Sequence, residues 1–234
     1  MYNIGMKIFI NDTEAIFLKR PNRFIIHANI DGIEVICHCP NTGRMGELLL
    51  PGVKIILEKS HNPGRKTAYS VVAVYKGSLI VPIASVRANR VAAEIIIPSL
   101  FDNPIIRSEV TYGESRFDFL VEEEDGKTFI EVKSCTLFDG DRAIFPDAPT
   151  TRGLKHINGL DFATTKGYKA MVIFVVFNPH ATTFSPNYIT DPKFAQSLEF
   201  VSSRVKIIPF KVGVEEDGNV VVPNESRILP VVYK

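Results

Sequence analysis

The pattern of short hydrophobic runs changes near residue 85, and this change divides the sequence into two parts. Before it, short β-rich segments alternate with turn residues, and the candidate strands are Ala15–Leu18, Arg23–Asn29, Ile33–Cys39, Val53–Lys59, Ala68–Tyr75 and Leu79–Ile83. Asp31-Gly32 lies between two of them and is a strong signal for a two-residue hairpin. Five or six short strands in about 85 residues predict a small closed barrel, with an OB-like barrel as the first choice.

After residue 85, helix-like and strand-like segments are mixed. Ser85 can cap a helix over about 87–96, which Pro98 is expected to end. Further helices are predicted over Thr151–Thr165 and from Asp191 to about Ser203, and strands over Arg107–Tyr112, Arg116–Glu122, Thr128–Thr136, Ala170–Phe177 and Arg204–Lys211. This order is typical of a mixed α/β domain with a central mixed sheet flanked by helices. We therefore expect one domain over residues 1–84 and another over 85–234.

Charge and hydropathy narrow the functional classes. Residues 1–86 carry a net charge of +4 and residues 87–234 one of −3. This asymmetry suits a phosphate-binding part joined to a metal-binding part, but random variation explains it equally well.

The longest apolar run, Ala170–Phe177, has eight residues, whereas a membrane span needs about 20. No membrane partner is expected, and the absence of a signal-peptide pattern indicates a cytoplasmic location.

The three cysteines are too few, and odd in number, for a disulfide framework. Cys37-His38-Cys39 resembles a fragment of a metal site, yet it lies in a predicted strand. Because side chains alternate between the two faces of a strand, His38 would point away from both thiols. Buried strand cysteines are therefore favoured over a zinc site.

Residues 116–133 carry the most informative pattern. Asp125-Gly126 is predicted to form the centre of a two-residue turn between two strands. In that register Asp118 lies opposite Lys133, and Glu131 is its diagonal neighbour. Asp118, Glu131 and Lys133 should therefore project from one face of the hairpin.

Two neighbouring carboxylates repel each other, and a divalent cation removes the repulsion. Oxygen ligands at an open site favour Mg²⁺ or Mn²⁺. Lys133 beside such an ion would stabilise a developing oxyanion or help to position an attacking water. These features predict metal-assisted phosphodiester cleavage, with Asp118, Glu131 and Lys133 as catalytic residues. An ordinary surface hairpin with a Lys–Asp pair remains the alternative.

Other residues are candidates to complete this site. Glu94 is the best candidate for a further metal ligand, and an ion pair with Arg90 four residues away is its alternative. Candidate nucleic-acid contacts fall in two groups, one on the helix after the hairpin strands and one in the barrel loops: Arg152, Lys155 and His156, and Arg44, Arg65 and Lys66. For both groups the alternative is a solvated, solubilising surface.

Several longer motifs follow one another in a characteristic order. They are His38-Cys-Pro-Asn-Thr-Gly-Arg-Met45, Asn62-Pro-Gly-Arg-Lys-Thr67, Ser108-Glu-Val-Thr-Tyr-Gly113, Arg116-Phe-Asp-Phe119, Ile130-Glu-Val-Lys-Ser134, Phe145-Pro-Asp147 and Thr151-Arg-Gly-Leu-Lys-His156. In this set the sequence resembles the sugar fermentation stimulation protein A (SfsA) family. The resemblance implies a DNA-binding protein with an OB-like first part and a second part similar to the PD-(D/E)xK nucleases.

The nuclease resemblance assigns roles to individual residues. It implies that Asp118 and Glu131 are metal carboxylates, that Lys133 is the motif lysine and that Glu94 is the helix acid. The motif proline is absent, since Phe117 precedes Asp118. We expect a nucleic-acid-binding protein, with DNA favoured, that hydrolyses phosphodiesters with Mg²⁺ or Mn²⁺. A non-catalytic DNA-binding regulator of sugar metabolism genes and a small-ligand sensor are the alternatives. The sequence does not indicate an oligomeric state.

Overall fold

The computed structural model describes residues 1–41, 43–62 and 64–234, and for residues 2–4 it describes the backbone alone. Thr42 and Pro63, which belong to two of the loop motifs, lie outside the described residues. The chain divides into two compact units. The first comprises Met1–Arg87, Phe177–Pro179 and Val212–Glu225, and the second comprises Ala88–Val176, His180–Lys211 and Ser226–Lys234.

The first unit is built from β-strands. They are β1 (Tyr2–Lys7), β2 (Thr13–Asn22), β3 (Ile25–Ile30), β4 (Ile33–His38), β5 (Lys54–Lys59), β6 (Tyr69–Lys76) and β7 (Leu79–Pro82), with β16 (Gly213–Val214) and β17 (Asn219–Val222) from late in the chain. As far as the structure is described, β4, β3, β2, β5 and β6 follow one another as neighbours, and a β4–β6 pairing closes them into a barrel. The predicted OB-like barrel is confirmed.

The turn between β3 and β4 shows why this part of the sequence folds as a meander. Asp31 and Gly32 both have positive φ angles, 49° and 90°, and Ile30 pairs directly with Ile33 across the turn. Positive φ at both central positions is what a type I′ hairpin requires, and Asp-Gly adopts it readily. The predicted Asp31-Gly32 hairpin is therefore present.

The first unit also contains a small sheet that the sequence pattern did not indicate. Its strand order is β1, β17 and β16. The expected division at residues 84 and 85 lies close to the first change of unit, after Arg87. However, two later segments belong to the first unit as well, so the units are not two consecutive blocks of sequence.

The second unit surrounds a mixed sheet. Its helices are α1 (Val86–Val91), of which the first two residues belong to the first unit, a π-helical segment (Ala92–Ile96), α2 (Ile97–Leu100), α3 (Thr151–Thr164) and α4 (Pro192–Val201). Its strands are β8 (Ile105–Tyr112), β9 (Ser115–Glu123), β10 (Gly126–Cys135), β11 (Leu137–Asp139), β12 (Arg142–Phe145), β13 (Lys169–Val176), β14 (Thr183–Pro186) and β15 (Lys206–Lys211). The central sheet, within the described chain, has the order β15-β13-β10-β9-β8. Strands β10, β13 and β15 are parallel, and β8 and β9 are antiparallel. The mixed α/β fold class is confirmed.

The prediction that Pro98 ends the first helix is wrong. The helical path continues to Leu100, and Pro98 lies in the first turn of α2. The Ile97 N–H donates to the Ala92 carbonyl, five residues back, in place of the usual four. Such a π turn widens the helix and shifts the pairing of N–H and carbonyl groups just before Pro98, which has no N–H. The helix can therefore continue past the proline.

The predicted register of the β9–β10 hairpin is also wrong, by one residue in the turn. Glu124 and Asp125 form the turn, and Glu123 pairs with Gly126. Gly126 has a φ of 143°, a conformation that favours glycine, and it is the first residue of β10, not a residue of the turn. Lys169 Nζ holds the Asp125 carboxylate at 2.5 Å. Each pairing moves by two positions along the partner strand, so the alternation of faces is preserved.

Among the described residues, no helix has the length and apolar character needed to cross a lipid bilayer.

Candidate metal and nuclease site

Asp118 lies at an interruption of the sheet. The β8–β9 ladder pairs Ser108 with Phe119 and Val110 with Phe117, but does not include the intervening Glu109 and Asp118. The β9–β10 ladder ends just before Asp118, at the Phe119–Ile130 pair. Glu109 has φ of 56°, which is uncommon for a non-glycine residue. Backbone irregularities of this kind concentrate at functional sites.

At this interruption the Asp118 carboxylate accepts two hydrogen bonds. The Val132 backbone N–H donates to Asp118 Oδ2 at 2.7 Å. Asn89 Nδ2 from α1 donates to Asp118 Oδ1 at 2.8 Å. These donors come from two elements on either side of the carboxylate, so its position is fixed by the fold.

Glu131 occupies the centre of the cluster, and its side chain is only 3% exposed. Both of its partners contact the same oxygen: Lys133 Nζ lies 2.5 Å from Oε1, and His156 Nδ1 also contacts Oε1. The second oxygen, Oε2, is buried and has no hydrogen-bond partner in the described structure. A buried carboxylate oxygen without a partner carries a desolvation cost, and an ion or water unseen in a structure is a common explanation.

Helix α3 brings His156 into this cluster. The helix begins after Thr150, whose side-chain oxygen accepts from the Gly153 N–H at 2.9 Å. Gly159 permits a close approach to β9, since a Cβ there would lie 2.7 Å from Ser115 Oγ and 3.2 Å from the Phe117 ring. The Phe117 ring also packs edge-on against His156. The helix is therefore held close enough to the sheet for His156 to reach Glu131.

The two carboxylates influence each other's protonation. Burial, and then the charge of Glu131, raise the pKa of Asp118, although the bonds from Val132 and Asn89 oppose this. Burial also acts to raise the pKa of Glu131, but His156 and Lys133 outweigh it and hold the pKa below its ordinary value. The site therefore combines an ionised glutamate with an aspartate whose negative charge is disfavoured, and added positive charge would stabilise both.

The structure thus brings Asp118, Glu131 and Lys133 together, as the sequence predicted, and adds His156 to them. It does not add Glu94. That side chain is 48% exposed and forms an ion pair with Arg90 at 2.7 Å, the alternative considered from the sequence. In the described part of the chain, no group of at least three His, Cys, Asp or Glu side chains is arranged to hold a metal ion. A metal-binding role for Glu94 stays a prediction.

The predicted nucleic-acid contacts occupy different environments. Arg152 and Lys155 are exposed on α3, whereas His156 on the same helix is buried. Lys155 Nζ lies 3.5 Å from the carboxylate of Glu114. Helical spacing predicts that Arg152, Lys155 and His156 share one face. His156 does not share the exposure of the other two, because its ring packs inward against Phe117 and Glu131, and its role as a nucleic-acid contact stays a prediction.

In the first unit, Arg44, Arg65 and Lys66 are all exposed. The loop that carries Arg44 is ordered by Arg20, whose guanidinium donates to the carbonyl oxygens of Arg23, Asn41, Gly43 and Arg44 at 2.7–3.0 Å. Arg65 is close enough to His38 that, after burial, its charge also lowers the pKa of that imidazole. The loops of Arg44 and Arg65 therefore approach the same end of β4.

The cysteines are free and buried. Burial raises the pKa of the Cys37 thiol to about 11 and also raises that of Cys39. Both groups therefore favour the protonated form at neutral pH, as expected for strand cysteines packed in a core.

Asn89 is the residue of the cluster that sequence reasoning missed. A single asparagine on a helix carries no recognisable signal, and its contact with Asp118 depends on how α1 packs near the sheet. The next residue along α1, Arg90, forms its ion pair with Glu94.

The fold and cluster define a two-unit protein with an OB domain and an α/β domain that carries clustered acidic residues and a lysine. Two family models match: the SfsA N-terminal OB domain at residues 18–83 and the sugar fermentation stimulation protein RE domain at residues 86–218. The chain belongs to the SfsA family.

Individual proteins agree with this assignment. A sugar fermentation stimulation protein homolog of Ruminiclostridium cellulolyticum is 42% identical over 209 residues, covering 88% of this chain and 92% of the relative. A homolog from Clostridium beijerinckii is also 42% identical, over 205 residues, covering 86% and 91%. The solved structure of Pyrococcus furiosus SfsA in complex with Ca²⁺ matches with a TM-score of 0.84 and 29% identity, covering 97% of this chain and all of that one.

Proposed function

We propose that this protein binds nucleic acid, with DNA favoured, and hydrolyses phosphodiester bonds with Mg²⁺ or Mn²⁺ held by Asp118 and Glu131. The observation that carries the proposal is the unpartnered Glu131 Oε2, which is buried in a cluster with Asp118 and Lys133. A hard divalent cation is the ligand for which such carboxylate oxygens are suited.

The residues fit such an ion in charge as well as in atom type. The Glu131 charge raises the pKa of Asp118, and the attraction of both carboxylates to a bound cation would outweigh this repulsion. The similar Pyrococcus furiosus SfsA structure is a complex with Ca²⁺, another cation that prefers oxygen ligands. In this protein Glu94 would complete the ligand set only by leaving Arg90.

The bound ion would supply Lewis-acid charge and lower the pKa of a coordinated water. The chain's own residues would orient the reactants. Glu131 holds the Lys133 ammonium at 2.5 Å, where it would stabilise negative charge developing on the phosphate oxygens. His156 positions Glu131 by contacting Oε1, which leaves Oε2 as the atom to bind the ion.

The test of catalysis separates metal binding from chemistry. Asp118→Asn and Glu131→Gln should weaken both Mg²⁺ binding, measured by calorimetry, and single-turnover cleavage of labelled DNA and RNA. Lys133→Ala removes a cation near the ion, so the affinity for Mg²⁺ should hold or rise. Its cleavage rate should nevertheless fall by roughly 10²–10³-fold, the effect of losing one oxyanion donor. Wild-type cleavage by Lys133→Ala would exclude the role proposed for this lysine.

Nucleic-acid binding has a separate test on the first unit. The exposed Arg44, Arg65 and Lys66 are proposed to contact phosphates, and the triple alanine variant should weaken binding regardless of sequence. The dependence of log K on log salt should become shallower by roughly 0.7–0.9 per lost contact. An unchanged slope would locate the contacts elsewhere, with Arg152 and Lys155 as the next candidates.

One observation favours a second function, that of a non-catalytic DNA-binding regulator. Lys133 is engaged by Glu131, and Glu94 is engaged by Arg90. Both side chains therefore already have a protein partner of opposite charge, as in a structural ion-pair network. DNA binding that is insensitive to EDTA, together with no cleavage in Mg²⁺ or Mn²⁺, would support the regulator over the nuclease.

A further inference from the structure

A cleft of about 530 Å³ lies in the second unit between the β8–β9 turn and α3. Its walls are the turn residues Tyr112–Ser115 and the side of α3 that carries Lys155, Asn158 and Phe162. The volume falls within the roughly 300–1,000 Å³ range of small-ligand sites. The cleft is distinct from the carboxylate cluster, whose residues do not line it.

The lining combines aromatic surface with a few polar groups. Phe162 is 52% exposed although it is a large apolar residue, and Lys166 Nζ lies 5.4 Å from its ring centre. Tyr112 is held in place by Phe129 and Tyr168, with ring centres at 4.9 and 5.1 Å. One wall is thus an exposed aromatic ring and another is an aromatic ring fixed by its neighbours.

The polar groups are placed on the same helix. Asn158 Oδ1 accepts from Ser197 Oγ at 2.9 Å, which orients the amide, and its Nδ2 has no partner among the described contacts. Lys155 contributes a positive charge, and its ion-pair partner within the described residues is the 91%-exposed Glu114, at 3.5 Å. An amide donor, a cation and stacking surface together suit a planar heteroaromatic group attached to a phosphate.

The cleft is one side-chain layer away from the carboxylate cluster. Gly159 and Ser115 line it, and Phe117 packs behind Gly159. The same Phe117 ring contacts His156, which in turn contacts Glu131. Lys155 and His156 are consecutive on α3, so one helical turn serves both places.

We propose that this cleft binds an unpaired nucleobase of a nucleic-acid strand whose backbone passes the carboxylate cluster. The inference rests on the proposed nucleic-acid function and adds a preference for single-stranded or locally unpaired substrate. Phe162 and Tyr112 provide the stacking surface, Asn158 donates to an acceptor on the base edge, and Lys155 contacts the adjoining phosphate. Every base has a face that can stack, so the site tolerates different sequences.

The test compares three fluorescent probes by anisotropy, with the full-length protein in EDTA so that no cleavage occurs. They are a short single-stranded DNA, the same strand with abasic positions throughout, and the corresponding duplex. The wild type should bind the normal strand more tightly than the abasic strand, although both carry the same phosphate charges. Phe162→Ala should weaken binding of the normal strand by roughly 5- to 10-fold, at the lower end of base–aromatic stacking effects, and should leave the abasic strand unaffected.

Phe200→Ala is the matched control. Phe200 lies outside the cleft, is 70% exposed and has the Arg204 guanidinium 5.0 Å from its ring centre, so it resembles Phe162 in exposure and in its cationic neighbour. This variant should keep the wild-type ratio of affinities. Two further variants test the role of charge. Lys155→Ala should weaken the binding of all single strands, and Glu114→Gln should strengthen it.

The outcomes separate the cleft from the broader function. Binding of all three probes with no preference for bases, or an unchanged preference in Phe162→Ala, would overturn the cleft proposal and leave nucleic-acid binding intact. Absence of binding to any probe would overturn both. Equal losses in Phe162→Ala and Phe200→Ala would indicate a general aromatic surface and would also refute the cleft.

Discussion

Replacing Lys133 with methionine should destabilise the protein because it removes the cationic partner of a buried carboxylate. Glu131 is 3% exposed and Lys133 15%, and their charged atoms lie 2.5 Å apart. Breaking a buried pair on one side typically costs about 3–5 kcal/mol. Since His156 still contacts Glu131 Oε1, we expect a smaller loss here, about 2–3 kcal/mol at neutral pH. Methionine retains the apolar stem, so the change in packing is minor.

The loss should depend on pH in a defined direction. In the wild type the pKa of Glu131 is lowered, so its ionisation contributes stability that is present above the pKa of an unfolded glutamate and lost as pH falls through the folded value. Without Lys133, burial is less opposed and the pKa of Glu131 rises. The difference between wild type and Lys133→Met should therefore be largest near neutral pH and shrink as pH falls through the ordinary glutamate pKa and then through the lower folded value of the wild type.

Urea unfolding followed by circular dichroism, in EDTA and across that pH range, measures this difference. Lys127→Met is the control, because Lys127 lies on the same strand and pairs with Glu122 at 3.2 Å but is 51% exposed. Exposed pairs contribute about 0–1 kcal/mol, so the control should change little. Equal losses in the two variants, or a Lys133→Met loss that is the same at every pH, would refute the argument.

Three further predictions concern stability and reactivity. Gly159→Ala should destabilise the protein despite alanine's better helix propensity, because the new Cβ would lie 2.7 Å from Ser115 Oγ; in urea titrations, adding Ser115→Ala should recover much of the loss. Arg87→Ala should lower the free energy of unfolding by about 1.5–3 kcal/mol through loss of its charged hydrogen bond to Glu58, which measures 2.7 Å, and an unchanged urea midpoint would contradict this. Since burial raises the pKa of Cys37 to about 11, the buried thiols should react with Ellman's reagent at mildly alkaline pH at least ~100-fold more slowly than those of the unfolded chain.

The parts of the fold set by local chemistry were predictable from the sequence. Asp31-Gly32 specifies a hairpin because both residues tolerate positive φ, and the N-cap Asp191 marks α4 because its carboxylate accepts from the Phe194 N–H at 3.1 Å. The strand β1 was not predictable, because its pairing partner is β17, more than 200 residues away. Pro98 does not end the helix because a preceding π turn shifts the hydrogen-bond partners, and no local sequence pattern signals that turn.

The candidate site shows the same division. Strand alternation predicted that Asp118, Glu131 and Lys133 would approach one another. The one-residue error in the turn did not change this result, because the pairing moved by two positions and each side chain stayed on the same face. The break in both ladders at Asp118 was not predictable, nor was the inward packing of His156. The latter depends on Gly159 bringing α3 against Ser115 and Phe117, which is a property of tertiary packing.

The pairing of β1 with β17 has a consequence for the order in which the protein is made. A chain leaving the ribosome presents Tyr2–Lys7 well before Asn219–Val222, which follow more than 200 residues later. The barrel strands β2 to β6 are close together in the sequence and can assemble in the meantime, whereas β1 gains its partner strand in the described structure only when β17 has been translated. Strand β1 is therefore among the last of the described strands to reach its native pairing, and a chain that stops before β17 would leave β1 without this partner.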